Sequence, residues 1–316
     1  MKNKTAFPDS WRRATVDLLL QLAPNEGYNV TAFDDVRLLR SNRPLSNTPV
    51  LYEPGIVFVC QGRKRGHLGD KRVVYDAQQY LAVAVPLPFT METDATEAEP
   101  LLAIYIRLDA GMAADLSIRL PSRPPSSAKA LEGMASSPVD APMALSVLRL
   151  LQAMTAPLEA ALLGSSLIRE IYFRVLSGDQ GEALRAALAT QGQFGKIAKA
   201  LEHIHSTFDT PIDVEQLASK AAMSVASFHA HFKRVTALSP MQYVKSTRLH
   251  QARLLLVRND MTAAHAAASV GYESASQFSR EFHRLFGLPP IREAARLRTA
   301  YALPAASGKS TYVSSH

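Results

Sequence analysis

Residues 224–240 read SVASFHAHFKRVTALSP, and residues 274–290 read SASQFSREFHRLFGLPP. At an offset of 50, six of these 17 positions are identical: Ser224/Ser274, Phe228/Phe278, Phe232/Phe282, Arg234/Arg284, Leu238/Leu288 and Pro240/Pro290. Upstream, Ala218-Ser219 matches Ala268-Ser269 at the same offset. Self-similarity at a fixed spacing marks a duplicated supersecondary unit. Each copy can be built from its residues. Asp213 is placed to cap a helix whose inward side chains are Val214, Leu217, Ala218 and Ala221. After a short turn, Ser224 caps a second helix, in which Phe228 and Phe232 are four apart and so share the core face. In the second copy Gly271 stands where the turn needs a left-handed residue, and Ser274 with Gln277 has the form of a capping box. Helix, tight turn and helix make a helix-turn-helix.

In such a unit the second helix lies in the major groove of DNA. With the phenylalanines inward, the opposite face is Ala226, Ser227, His229 and Ala230 in the first unit. In the second it is Ala275, Ser276, Gln277, Ser279 and Arg280. Arg280 can bond guanine O6 and N7 together, and Gln277 can pair with adenine. Lys233, Arg234, Lys245 and Arg284 suit phosphates, which position without specifying. Ala226 and Ala230 offer only methyl contacts, so the second unit, or DNA shape, should carry more of the specificity. Residues 241–257 predict an uninterrupted amphipathic helix of roughly 25 Å. A spacer of that order can hold two reading helices about one DNA turn, ~34 Å, apart. A purely structural two-helix repeat is the competing reading.

The charge agrees with the motif. The chain has 316 residues and a formal net charge of +7. Residues 196–300 hold 14 Lys and Arg against 8 Asp and Glu, so nearly all the excess sits in one third of the chain. Seven of the nine histidines lie there too. Concentrated positive charge points to an anionic partner. Hydrophobic residues make up 47% and charged ones 20%, which excludes wholesale disorder. No apolar run approaches the ~18–20 residues of a membrane helix, and the polar N-terminus has no signal-peptide core. The single cysteine, Cys60, excludes an internal disulfide framework. These features predict a cytoplasmic protein without membrane contact.

The N-terminal half reads differently. Residues 49–60, 72–75, 80–85 and 101–108 are β-branched or aromatic runs bounded by Gly, Pro, Asp and Thr. They predict an antiparallel barrel or sandwich, a shape that often holds a ligand in its mouth. A short helix over the first ~20 residues has Trp11, Val16, Leu19 and Leu20 on its apolar side. Residues 121–142, with five prolines, read as a break. Two leucine stripes follow: Leu145, Leu148, Leu151 and Met154, then Leu158, Leu162, Ile168, Ile171 and Val175. Such stripes are core or pair helices between subunits. Arg63, Lys64, Arg65 and His67 read as a basic hairpin, either a solvated turn or an anion- or effector-binding lip. Cys60 is either a buried structural residue or a thiol activated by that basic run. Tyr75, Tyr80, Tyr105 and Arg107 are candidate pocket residues whose facing is open. One histidine before residue 196 makes a metal site an unsupported reading, and no cofactor is expected.

The stretches LASKAAMSVASFHAHFKRVTALSPMQYVKSTRLHQARLLL and VGYESASQFSREFHRLFGLPP resemble the two halves of the DNA-binding domain of the AraC/XylS family of bacterial transcription regulators. YEPGIVFVCQGRKRG and YDAQQYLAVAVPLPFTMET resemble the cupin-like N-terminal domain of one subgroup of that family, which includes an aldehyde-responsive activator of aldehyde-reductase genes. The resemblance implies an α+β protein: a cupin-like β-barrel or jelly roll with a helical dimerisation segment, then an all-α double helix-turn-helix. The expected boundaries are an N-terminal helical segment at 1–30, a sensor at 31–120, a linker and dimerisation segment at 121–190, a DNA-binding domain at 191–300 and a disordered tail at 301–316. The expected function is a regulator, an activator, rather than an enzyme. Its partners would be promoter DNA, RNA polymerase and a second copy of itself, in the nucleoid. The effector would be a small molecule such as a reactive aldehyde. Alternatives are an anionic effector, no effector, or a cupin-type enzyme fused to a DNA-binding domain. Candidate effector contacts are Arg63, Arg65, His67, Tyr80 and Cys60.

Overall fold

A computed structural model describes residues 9–121, 132–178, 181–189, 192–258 and 261–300. The tail expected to be disordered lies outside them, as do residues 1–8. A first helix, α1 (Asp9–Leu22), leads into nine strands: β1 (Gly27–Val30), β2 (Val36–Ser41), β3 (Leu45–Tyr52), β4 (Gly55–Gln61), β5 (Arg63–Leu68), β6 (Lys71–Asp76), β7 (Gln79–Val83), β8 (Leu87–Asp94) and β9 (Leu101–Arg107). Helix α2 (Ala110–Arg119) and strand β10 (Met134–Pro138) follow. The remainder is helical: α3 (Ala141–Met154), α4 (Pro157–Ser177), α5 (Gly181–Leu188), α6 (Gln193–Ser206), α7 (Val214–Lys220), α8 (Val225–Thr236), α9 (Pro240–Arg258), α10 (Ala263–Ser269), α11 (Ala275–Phe286) and α12 (Pro290–Ala300). No helix among the described residues is long and apolar enough to cross a membrane.

The strands form two antiparallel sheets, ordered β1-β2-β9-β4-β7-β10 and β3-β8-β5-β6. This is the double-sheet form of the expectation, not a closed barrel. The chain changes sheet at every step from β2 to β9 except that from β5 to β6, so most neighbours in sequence face each other across a core. The proline-rich break supplies a strand: β10 pairs with β7 from Met134↔Val83 to Pro138↔Gln79, so the sheet extends past residue 120. Pro138, at its end, and an edge position fit a strand that lacks one donor.

The leucine stripes divide. Leu148 and Leu151 are buried in α3, but Leu145 is exposed. In α4, Ile168, Ile171 and Val175 are buried, whereas Leu158 and Leu162 are 72% and 70% exposed. In α3 a step of three residues on a 3.6-residue helix drifts by ~60° each time, so the stripe leaves the core within three steps; in α4 the gap from Leu162 to Ile168 turns the helix by about 240° and puts the two leucines on another face. The same geometry separates Leu19, fully buried, from exposed Leu20 in α1. α4 closes on the sandwich at Gly164, where an added Cβ would lie 2.1 Å from the Phe33 ring.

Candidate nucleic-acid interface

Both helix-turn-helix units form. In the first, the Asp213 carboxylate accepts the Glu215 backbone N–H at 3.0 Å and starts α7. Ser224 Oγ accepts the Ser227 N–H and starts α8. In the second, Thr262 Oγ1 accepts from His265 N and Ser274 Oγ from Gln277 N. Phe228, Phe232, Phe278 and Phe282 are all fully buried. The paired rings lie 5.4 and 5.5 Å apart within their helices.

The repeat has two offsets. The second helices and everything after them match at 50, down to the left-handed residues Ala237 and Gly287 that end α8 and α11. The first helices match at 49. Their caps are Asp213 and Thr262, and their buried pairs are Leu217-Ala218 and Ala266-Ala267. The turn hydrogen bonds agree: Met223 N donates to Ala218 O, and Tyr272 N donates to Ala267 O. The sequence match of Ala218-Ser219 with Ala268-Ser269 is therefore not the structural equivalence, and the second turn carries one extra residue. Ala222, at φ 48°, occupies the left-handed place that Gly271 fills at φ 78°. Gly271 is required there, because an added Cβ would stand 2.6 Å from Asp209 O.

With the phenylalanines inward, Ala226, His229, Ala230, Lys233 and Arg234 are exposed on α8, and Ser227 is half-buried. On α11 Ala275, Ser276, Gln277, Arg280 and Arg284 are exposed and Ser279 is half-buried. The expected reading faces thus point outward. Three side chains are already engaged. His231 Nδ1 lies 2.8 Å from Ser227 O. Gln277 does not complete a capping box; its Nε2 donates to Glu281 Oε1 at 3.2 Å. Lys245, read as a phosphate contact, donates to the same carboxylate at 3.0 Å, and the Tyr272 hydroxyl donates to Glu281 Oε2 at 2.8 Å. Burial opposes ionisation of Glu281, but those three donors outweigh it and lower its pKa. Glu281, midway along the reading helix, was not singled out from sequence.

Nor were two arginines of α9, whose partners lie far off in the chain. Arg248 on α9 donates to Phe208 O, Thr210 O and Gly271 O, at 2.7, 2.8 and 3.1 Å. It ties the loop before α7 to the turn of the second unit. Arg253, almost fully buried, lies 3.8 Å from buried Glu293, 4.2 Å over the Phe286 ring, and 3.3 Å from Pro49 O on β3. The helix read as an amphipathic spacer is buried on nearly all sides, because it packs on β3 and β8 as well as on α8, α10, α11 and α12. Near its start, the Tyr243 hydroxyl donates to Pro86 O at 2.8 Å and sits 2.7 Å from His205 Nε2. Burial drives the His205 pKa down to about 3, and that of His250 well below the usual range.

The candidate effector residues are scattered by the fold. The basic hairpin is neither a solvated turn nor a lip: it is strand β5, with alternate side chains on opposite sheet faces. Arg63 is 3.6 Å from Asp76, Arg65 pairs with Glu92 at 2.9 Å and with Asp94, and His67 stands 3.2 Å from Glu92, too misaligned to hydrogen-bond. Lys64 points inward and is fully buried, its Nζ donating to the Tyr52 hydroxyl at 3.1 Å. Burial holds that amine well below the usual lysine range. Cys60 is not activated: burial pushes its thiol up to about 12. Tyr80 is core, its ring against Phe58, and Tyr75 is core as well. Tyr105 is half-buried, with Glu53 Oε2 3.5 Å from its hydroxyl, and Arg107 pairs with Asp35. Among the described residues no group of three or more His, Cys, Asp or Glu is placed to hold a metal.

Comparison with known proteins bears on this arrangement. The family model of the AraC-type transcriptional regulator N-terminus matches residues 32–183, and that of a helix-turn-helix domain matches residues 217–296. The chain belongs to the AraC family. The chain is similar to the probable transcriptional regulator LumQ of Photobacterium leiognathi, 33% identical over 90 residues, which is 28% of this chain and 36% of that one. It is also similar to the transcriptional activator RhaS of Escherichia fergusonii, 36% identical over 83 residues, 26% of this chain and 30% of that one. The matches span about a third of the length of these curated relatives. The whole fold of this AraC-family chain resembles that of ToxT from Vibrio cholerae, in its unsaturated fatty acid-bound structure. The TM-score is 0.59 at 10% identity, over 90% of this chain and 99% of that one.

Proposed function

We propose that this chain is a sequence-specific DNA-binding transcription regulator whose N-terminal two-sheet domain takes a small effector. The outward face of α11 carries the reading. Its Ser276, Gln277, Ser279 and Arg280 stand opposite two fully buried phenylalanines, so the helix has one way to lie in a groove. Arg280 is the base reader, and Lys233, Arg234 and Arg284 contact phosphates. The basic bias of residues 196–300 supplies the salt-dependent part of the affinity. The α8 face, poor in hydrogen-bonding readers, contributes position and methyl contacts. Activation rather than repression is supported by the similarity to RhaS. A second copy of the chain is the natural cover for the exposed Leu158 and Leu162 on α4, which would make the regulator a dimer. RNA polymerase contact and a place in the cytoplasm, on the nucleoid, follow from that reading. A reactive aldehyde remains an effector of the family subgroup that the sequence resembles. Cys60 is a poor trap for it, since a thiol held up at about 12 is protonated at neutral pH.

The test is fluorescence anisotropy with the duplex upstream of the protein's own coding region, against a scrambled duplex, across a salt series. Selective binding that falls with salt is expected, with selectivity lost in Arg280→Ala. Equal binding of both duplexes by both proteins would refute the groove assignment.

A further inference from the structure

Glu281 lies one helical turn after Gln277 on α11, so the two side chains meet on the helix surface. The glutamine is exposed, but the glutamate side chain is only 13% exposed. Its Oε1 accepts from Lys245 Nζ at 3.0 Å and from Gln277 Nε2 at 3.2 Å, and its Oε2 accepts from the Tyr272 hydroxyl at 2.8 Å. Lys245 comes from α9 and Tyr272 from the turn before α11, so Glu281 is pinned from outside its own helix. A glutamine beside a free glutamate must order two long side chains to gain one bond. Here the acceptor is already fixed, and only Gln277 is left to order. A charged carboxylate accepts and never donates. It therefore takes the amide nitrogen of Gln277 and turns the amide oxygen away, which decides which way round an exposed reader sits.

We propose that Glu281 is a positioning residue that sets Gln277 to prefer adenine and to reject guanine. The proposal rests on the function given above, in which α11 lies in the major groove. Adenine presents there an acceptor, N7, beside a donor, the N6 amine; guanine presents two acceptors, N7 and O6. With one amide hydrogen held by Glu281, Gln277 keeps its other N–H and its Oε1 on one edge, a donor beside an acceptor. That edge matches adenine. Against guanine it sets Oε1 against O6, two acceptors with no hydrogen between them. A glutamine without such a partner turns over about its last torsion, which is broad, and offers N–H groups to either purine. A role confined to tying α11 to α9 and the turn would act differently. Its loss would shift the whole helix and weaken the contact of Arg280 together with that of Gln277.

The test uses the full chain and the anisotropy assay, with duplexes carrying each single base-pair change in the upstream sequence. Gln277→Ala identifies the pair that Gln277 reads; there the wild type should prefer adenine to guanine about tenfold, and the variant should prefer neither. Glu281→Gln replaces an obligate acceptor with an amide that also donates, so Gln277 faces it either way round. This variant should cut the adenine preference at least threefold and leave the pair read by Arg280 within twofold. Combined with Gln277→Ala it should add nothing. Tyr272→Phe, which leaves the carboxylate in place, should keep the adenine preference within twofold. An unchanged adenine preference in Glu281→Gln, or an equal loss at both pairs, would overturn the proposal. A second readout needs neither DNA nor a folded variant. In the 15N spectrum of the free wild-type protein, the Gln277 side-chain amide hydrogens should exchange at least fivefold more slowly than those of exposed Gln152 on α3. Equal exchange would overturn the hold of Glu281 on Gln277. If no duplex is bound selectively, the proposed function fails and the base preference with it, while the amide spectrum still decides whether Glu281 fixes Gln277.

Discussion

The two helix-turn-helix units share a backbone plan and differ in what they are packed into. The first has no core of its own. One continuous apolar cluster runs from the sandwich through α6 to Leu217, Phe228, Phe232, Tyr243 and Val244. The second has a separate cluster built from Leu249, Leu256, Val270, Phe278, Phe282 and Leu297. The boundary falls within α9, between Val244 and Leu249. A duplicated motif has thus been divided between two cooperative units. The copy richer in hydrogen-bonding readers is the one free to respond independently, and the copy welded to the N-terminal domain serves as its base.

The largest effects should break this comparison in the core. Phe232→Ala and Phe282→Ala each remove a fully buried ring and should each cost about 3–5 kcal/mol. The first should lower the melting transition of the sandwich, followed by near-UV circular dichroism. The second should melt residues 249–297 alone, seen as lost amide protection there with the sandwich transition unmoved. A single shared transition in both variants would erase the distinction. Arg253→Met leaves Glu293 with its bidentate Arg296 partner but removes the buried donors to Pro49 O, and should cost about 1–3 kcal/mol, read in chemical denaturation.

The next contrast is in DNA binding. Arg280→Ala should cost about 1–3 kcal/mol of discrimination at one base pair, whereas His229→Ala should change selectivity by less than threefold. Acid sharpens the comparison from the other side. His205 is uncharged in the fold, with a pKa near 3 against 6.5 when unfolded. Its contribution is complete above pH ~6.5 and is lost as pH falls from there toward 3. The seam at Tyr243 and Pro86 should therefore loosen between pH 7 and pH 5, read as rising amide exchange at residues 243–245. The smallest effect is at the turn. Ala222→Gly should stabilise the first unit by ~1 kcal/mol in chemical denaturation, because alanine is strained at φ 48°.

Much of this was legible in the sequence. The caps Asp213, Ser224 and Ser274, the buried phenylalanines and the outward reading faces depend on contacts within four residues, which periodicity records directly. The family followed from the same stretches. The limits are equally physical. The apolar spacing in α4 could not tell which end leaves the core, since that depends on where α3 and the sandwich stop. A run of basic residues could not reveal that it was a strand, with Lys64 turned into the core and Arg63 and Arg65 turned to acids on β6 and β8. A match of Ala-Ser dipeptides hid an inserted residue, because hydrogen bonds, rather than letters, set the equivalence.

What the sequence determined by itself was local: two capped helix pairs, a β-rich half, and the surplus of positive charge on the helical third. Those properties are carried by neighbours along the chain and survive any arrangement of the parts. Tertiary structure alone decided that α9 is buried by both halves and that Glu281 gathers Lys245, Tyr272 and Gln277. These join residues up to about two hundred positions apart, such as Arg253 and Pro49. No pattern in one strand of letters encodes which distant carbonyl a buried arginine will meet.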